Sequence, residues 1–105
     1  MFTYYVTFRI HDATVNGASY QTRYDALMKN VRLPDQGFWT ETTSFILAES
    51  NLNTHEFAES LIKNLSPTHD LIVVADPTDK SASYFGKVEH LDVLKSFFPR
   101  IKKIG

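Results

Sequence analysis

The chain opens on a strict alternation of apolar and polar positions. Phe2, Tyr4, Val6, Phe8 and Ile10 fall on one side of an extended backbone, and Thr3, Tyr5, Thr7 and Arg9 on the other. That period of two predicts a strand over residues 2–10 with one core face. His11-Asp12 ends it, and Asn16-Gly17 marks a turn in the loop beyond. From Ser19 the period changes. Tyr20, Tyr24, Leu27, Met28 and Val31 recur at helical spacing behind a serine suited to an N-cap. The stretch from Leu33-Pro34 to Gly37 breaks this helix.

Residues 38–49, FWTETTSFILAE, are aromatic, threonine-rich and β-branched, which is strand composition. Twelve residues are long for one strand, and the sequence leaves open one bent strand or two short ones parting near Thr42-Thr43. Asn53 and Glu56 have the spacing of a capping box, with Leu52 and Phe57 placed for a hydrophobic staple. Phe57, Ala58, Leu61, Ile62 and Leu65 continue a second helix, which Ser66-Pro67 stops. Leu71-Ile72-Val73-Val74-Ala75 is apolar on both faces and predicts a central strand covered on both sides. Residues 82–88, ASYFGKV, predict a last strand, weakened by Gly86. Leu91, Leu94 and Phe98 predict a short terminal helix, followed by a basic tail, RIKKI.

Two helices separated by strands in about 100 residues predict an α+β fold, a ferredoxin-like βαββαβ sandwich with an additional C-terminal strand and short helix. Residues 1–105 form one such domain on this reading. Both main helices then cover one sheet face, so something must cover the other. A homodimer packed sheet against sheet is the favoured answer, and the terminal helix folding across is the alternative.

Composition narrows the function classes. There is no cysteine, which excludes disulfides, thiolate zinc sites and cysteine nucleophiles. No apolar run reaches the roughly 20 residues of a membrane span. The alternating start lacks the basic region of a signal peptide, so the expected location is cytoplasmic with no membrane partner. The net charge of −1 conceals an asymmetry: +2 over residues 1–34, −7 over 35–79 and +4 over 80–105. Near-neutrality is thus a balance of opposed segments, which suits a self-complementary dimer and leaves room for a local basic surface.

No phosphate loop, dinucleotide glycine pattern, HExxH or calcium loop is present. The four histidines, at 11, 55, 69 and 90, include no pair at the helical spacing of metal ligands, and each reads as a solvated loop or helix-end side chain. The candidate for chemistry is His11-Asp12, past the end of the first strand. A carboxylate there can hold Mg²⁺ through one or two oxygens, with water completing the shell. In a two-fold dimer, two copies of Asp12 would face each other and recruit a cation. The plain alternative is that Asp12 opens the turn toward Asn16-Gly17. Tyr5, Thr7 and Arg9, on the open side of the first strand, are the candidate nucleic-acid or dimer face.

The order of YYVTFRIHD, YDALMKNV, WTETTSFILAES, FAESLIKNL and DLIVVADP resembles the small ferredoxin-like proteins of the second CRISPR-associated (adaptation) protein family. Relatives of that family include virulence-associated protein D and an antitoxin that cleaves messenger RNA. The resemblance covers roughly residues 3–90. It implies a homodimer with packed sheets and a last strand reaching the other subunit, here ASYFGKV. It also implies metal-dependent nuclease activity in some members, through an aspartate at the end of the first strand that corresponds to Asp12. Other members are inactive scaffolds. Two function classes follow. One is a nucleic-acid-processing protein, a Mg²⁺-dependent ribonuclease using Asp12 or an inactive scaffold of that kind. The other is a non-catalytic dimeric interaction or regulatory module, antitoxin-like.

Overall fold

The computed structural model describes residues 1–105. Its elements run β1 (Phe2–Arg9), α1 (Tyr20–Val31), β2 (Phe38–Trp39), β3 (Phe45–Ser50), α2 (Thr54–Leu61), β4 (Leu71–Ala75), β5 (Ala82–Phe85), α3 (Leu91–Phe97) and β6 (Lys102–Lys103). The fold is α+β, with one six-stranded mixed sheet in the order β2-β3-β1-β4-β5-β6. All neighbours are antiparallel except β5 and β6, which run parallel across the α3 crossover.

Local chemistry places these elements. Ser19 Oγ accepts the Thr22 backbone N–H at 3.1 Å and caps α1. Asn53 and Glu56 complete the capping box on α2: the Asn53 side chain accepts from Glu56 N–H, and the Glu56 carboxylate accepts from Asn53 N–H. The segment 38–49 resolves into two strands. β2 and β3 pair with each other across a bend, Phe38 opposite Ala48 and Trp39 opposite Leu47.

The main core lies between α1, α2 and one face of the sheet. Tyr4, Val6, Phe8 and Ile10 point there, against Leu27, Met28, Val31, Phe57, Ala58 and Leu61. Tyr4 stacks on Phe57 with ring centroids 4.7 Å apart. Period-two alternation sends Val73 and Ala75 of β4, with Ala82 and Tyr84 of β5, to the opposite face. There α3 covers them through Leu91, Leu94 and Phe98, joined by Ile101.

Two sequence expectations are refined here. The basic tail contains a strand: β6 adds beside β5, and Ile101 and Ile104 enter the clusters on opposite faces of the sheet. The terminal helix does fold across the second face, but only over its β4–β5 half. A sheet-against-sheet contact over the whole face is therefore blocked by α3. β5, the strand ASYF, pairs with β4 of its own chain. No helix is long and apolar enough to cross a membrane.

Candidate functional site

Three surfaces hold the residues of interest. The first is the end of β1. His11 and Asp12 are exposed there, but the backbone that carries them is clamped from inside. Arg23 of α1 is 2 % exposed, and its Nε meets Asp70 Oδ2 at 3.0 Å in an ion pair closed to water. The remaining guanidinium donors serve the carbonyls of Ala13 and Ala18 at 2.9 and 2.8 Å, and that of His11 at 2.5 Å. The Asp70 carboxylate accepts the backbone N–H groups of His11 at 2.9 Å and Ser66 at 2.8 Å. This network pins the loop after β1 to α1 and to the turn before β4. It satisfies buried polar groups that would each be costly unpaired.

On that platform His11 lies beside His69, with ring centroids 5.3 Å apart. The β1–β4 register sets Arg9 opposite Leu71, and two further steps bring His11 opposite His69. Sequence spacing alone did not join these histidines; the antiparallel pairing of β1 with β4 does. Asp12 extends from the same loop, and no three His, Asp or Glu side chains converge on a common point anywhere in the fold.

The second surface is the part of the sheet face that α3 leaves bare. Tyr5 and Arg9 stand on it from β1 with Thr3 and Thr7, beside half-buried Phe45 and Leu47 of β3 and Trp39 of β2. Tyr5 is 45 % and Trp39 38 % exposed, large fractions for side chains of this size. The Tyr5 and Phe45 rings meet edge to face at 5.7 Å. A depression of about 260 Å³ between these strands is lined by Thr3, Trp39, Leu47 and Glu49. Tyr5, Thr7 and Arg9 therefore share one face, while His11 and Asp12 belong to the loop beyond it.

The third surface, at the opposite end of the sheet, was not singled out by the sequence. A cleft of about 250 Å³ is lined by Tyr4, Thr54, His55, Asp76, Asp79 and Ser81 with Phe2 and Asn53. Thr54 Oγ1 pairs with Ser81 Oγ at 2.5 Å, and His55 Nδ1 with Ser83 Oγ, so α2 is bolted to β5. Ser83 is fully buried, which makes this serine–histidine contact a structural tie and not an exposed nucleophile. Burial, followed by the nearby carboxylates Asp76, Asp79 and Glu56, raises the Tyr4 phenol above its ordinary value. Exposed Asp79 is held below the usual carboxylate range, first by the Ser81 hydroxyl and then by the Ser81 backbone N–H.

His55 is depressed below the ordinary imidazole value, first by burial and then by Lys102. Its protonation therefore favours the unfolded chain. The stabilising contribution is complete above the unfolded value near 6.5 and is lost as pH falls from there through the lower folded value. The wild-type urea midpoint is expected to drop more steeply than that of His55→Gln from about pH 7 to about pH 5. Parallel pH profiles for the two proteins would remove this role.

Comparison with protein-family models, curated proteins and solved structures finds no match to this chain.

Proposed function

We propose that this protein is a non-catalytic homodimeric interaction module of ferredoxin-like type. The fold part of this reading rests on the order of the first four strands. The order β2-β3-β1-β4, antiparallel throughout, with α1 and α2 on one face, matches what two interlocked βαβ units produce. The dimer part is carried by one observation: the second sheet face is stepped. α3 forms a raised half over β4–β5, and β1, β3 and β2 form a bare half beside it.

A stepped face is self-complementary under one kind of two-fold axis. An axis running across the strands would place α3 on α3 and hold the bare halves apart. An axis along the strands places α3 of each copy over the bare half of the other. The contact is then isologous and closed. The α3 side chains that do not reach the home sheet suit this role, since Val93 is 52 % and Phe97 67 % exposed. They would cover Tyr5, Phe45, Leu47 and Trp39 of the partner copy. Both halves carry charges of both signs, Asp92 and Lys95 on α3 and Arg9, Glu41 and Glu49 around the bare half. Buried aromatic anchors inside a charged rim are the usual composition of such interfaces.

Light scattering at micromolar concentration is expected to give the mass of two chains. Phe97→Lys and Tyr5→Lys are each expected to weaken the dimer about 30-fold or more, the effect of losing an anchor worth about 2 kcal/mol. A monomeric wild type, or a dimer indifferent to both substitutions, would overturn the reading. Incubation with labelled single-stranded RNA or DNA and Mg²⁺ is expected to leave both intact. Cleavage that disappears in Asp12→Ala would replace this reading with the nuclease.

A further inference from the structure

We infer that His11 and His69 form a binding site for a divalent transition metal of the zinc class. The site goes beyond the interaction module and does not depend on it, since both histidines lie in loops at the end of the sheet. Three observations converge. The first is distance. Two imidazoles on one tetrahedral zinc, with Zn–N of about 2.0–2.1 Å, place their ring centroids about 5 Å apart. The rings of His11 and His69 are 5.3 Å apart and inclined at 42°.

The second observation is which nitrogen is free. His69 Nδ1 is engaged by Thr68 Oγ1 at 2.8 Å and Ser66 Oγ at 3.1 Å. Nε2 has no partner in the protein, and in the tautomer whose Nδ1–H donates to one of these hydroxyls it carries the lone pair that a metal needs. A hydrogen bond at the other ring nitrogen is the usual support of a metal-binding histidine, because it sets both tautomer and ring orientation.

The third is rigidity. The His11 backbone is held on both sides, its N–H by Asp70 and its carbonyl by Arg23. The His69 N–H is held by the Ser66 carbonyl at 3.2 Å. Both exposed histidines thus stand on a held backbone, and the His69 ring is also held at Nδ1, so the His11 ring is the part left to order on binding. Imidazole nitrogens favour zinc, copper and nickel over the hard cations that a lone carboxylate would select. Water completes the coordination shell. With two protein nitrogens and no thiolate, the affinity is expected to be micromolar.

Calorimetric titration of tag-free protein with zinc chloride tests the assignment. One zinc per chain and an upward shift of the melting temperature are expected. His11→Asn and His69→Asn should each weaken binding at least tenfold, while His55→Asn and His90→Asn should not. Proton–carbon NMR provides a readout that needs no variant: zinc should move the imidazole resonances of His11 and His69 and leave those of His55 and His90 in place. No zinc-dependent change in the wild type would overturn the site, and so would binding that survives in both the His11 and the His69 variants. A monomeric mass in light scattering would remove the dimer and leave the zinc result unaffected.

Discussion

Asp70→Ala is expected to destabilise the fold by about 3–5 kcal/mol, the usual cost of stranding one partner of a buried ion pair. The substitution leaves the Arg23 guanidinium charged and closed to water. It also strips two backbone N–H groups, those of His11 and Ser66, of their acceptor. Arg23→Ala is expected to cost a similar amount for the mirror reason, since the buried Asp70 carboxylate loses its counter-charge and the Ala13 carbonyl its donor, while the carbonyls of His11 and Ala18 keep the N–H groups of Ala13 and Val15. Against a total stability of about 5–15 kcal/mol, either change removes a large share. An ion pair that serves only itself can often be replaced by apolar side chains with little loss. This one cannot, because the double variant Arg23→Met/Asp70→Leu still orphans the N–H groups of His11 and Ser66 and the carbonyl of Ala13. The double variant is expected to lose less than the sum of the single changes but still several kcal/mol. Urea unfolding of the four proteins measures this. A loss under about 1 kcal/mol in Asp70→Ala would show that the loop relaxes and that water takes over the orphaned groups.

The network also marks where the sequence stops being readable. Both long amphipathic patterns, β1 and α1, were legible because burial acts on every residue of one face and repeats it at the element's own period. The capping box on α2 was legible because its partners are three residues apart. Arg23 was not read as core, although it lies three residues after Tyr20 and four before Leu27, on the buried stripe itself. A charge inside an apolar stripe was the available signal, and its partner lies 47 residues away. The pairing of His11 with His69 was hidden for a related reason. It follows from the register of β1 on β4, which no local spacing encodes. In the tail RIKKI, Ile101 and Ile104 sit three apart, an odd spacing that sends them to opposite faces of a strand. With two lysines between them, that spacing resembles a solvated tail, and the open edge of β5 turns it into a strand. Exposed Lys102 and Lys103 then keep that edge from pairing further. The doubly apolar strand at 71–75 correctly called for cover on both faces. The structure supplies it from α3, so the surface left for a partner lies one strand over, at β1 and β3.

Gly86→Ala is expected to be the other severe substitution, costing about 2–5 kcal/mol. Gly86 ends β5 with φ +97°, a conformation that costs an L-residue about 1–2 kcal/mol. A methyl group there would also lie 2.1 Å from the Asp70 carbonyl oxygen and 3.2 Å from Leu71 Cα, both of them backbone atoms that no side-chain rotation can move aside. Forcing them apart adds about 1–3 kcal/mol, as overpacking does elsewhere. It would also displace the residue on which the Arg23 network closes. Gly17 provides the control. Its φ is +80°, but nothing lies within 4 Å of a β-carbon built on it. Gly17→Ala therefore carries the conformational cost alone, about 1–2 kcal/mol. The difference between the two variants in urea unfolding isolates the contact with Asp70. Equal losses would mean that the backbone of β4 yields at no cost. The expected result is a gap of about 1 kcal/mol or more, because the Asp70 main chain has no slack: its N–H is bound to the Ser66 carbonyl at 2.8 Å while its side chain is held by Arg23.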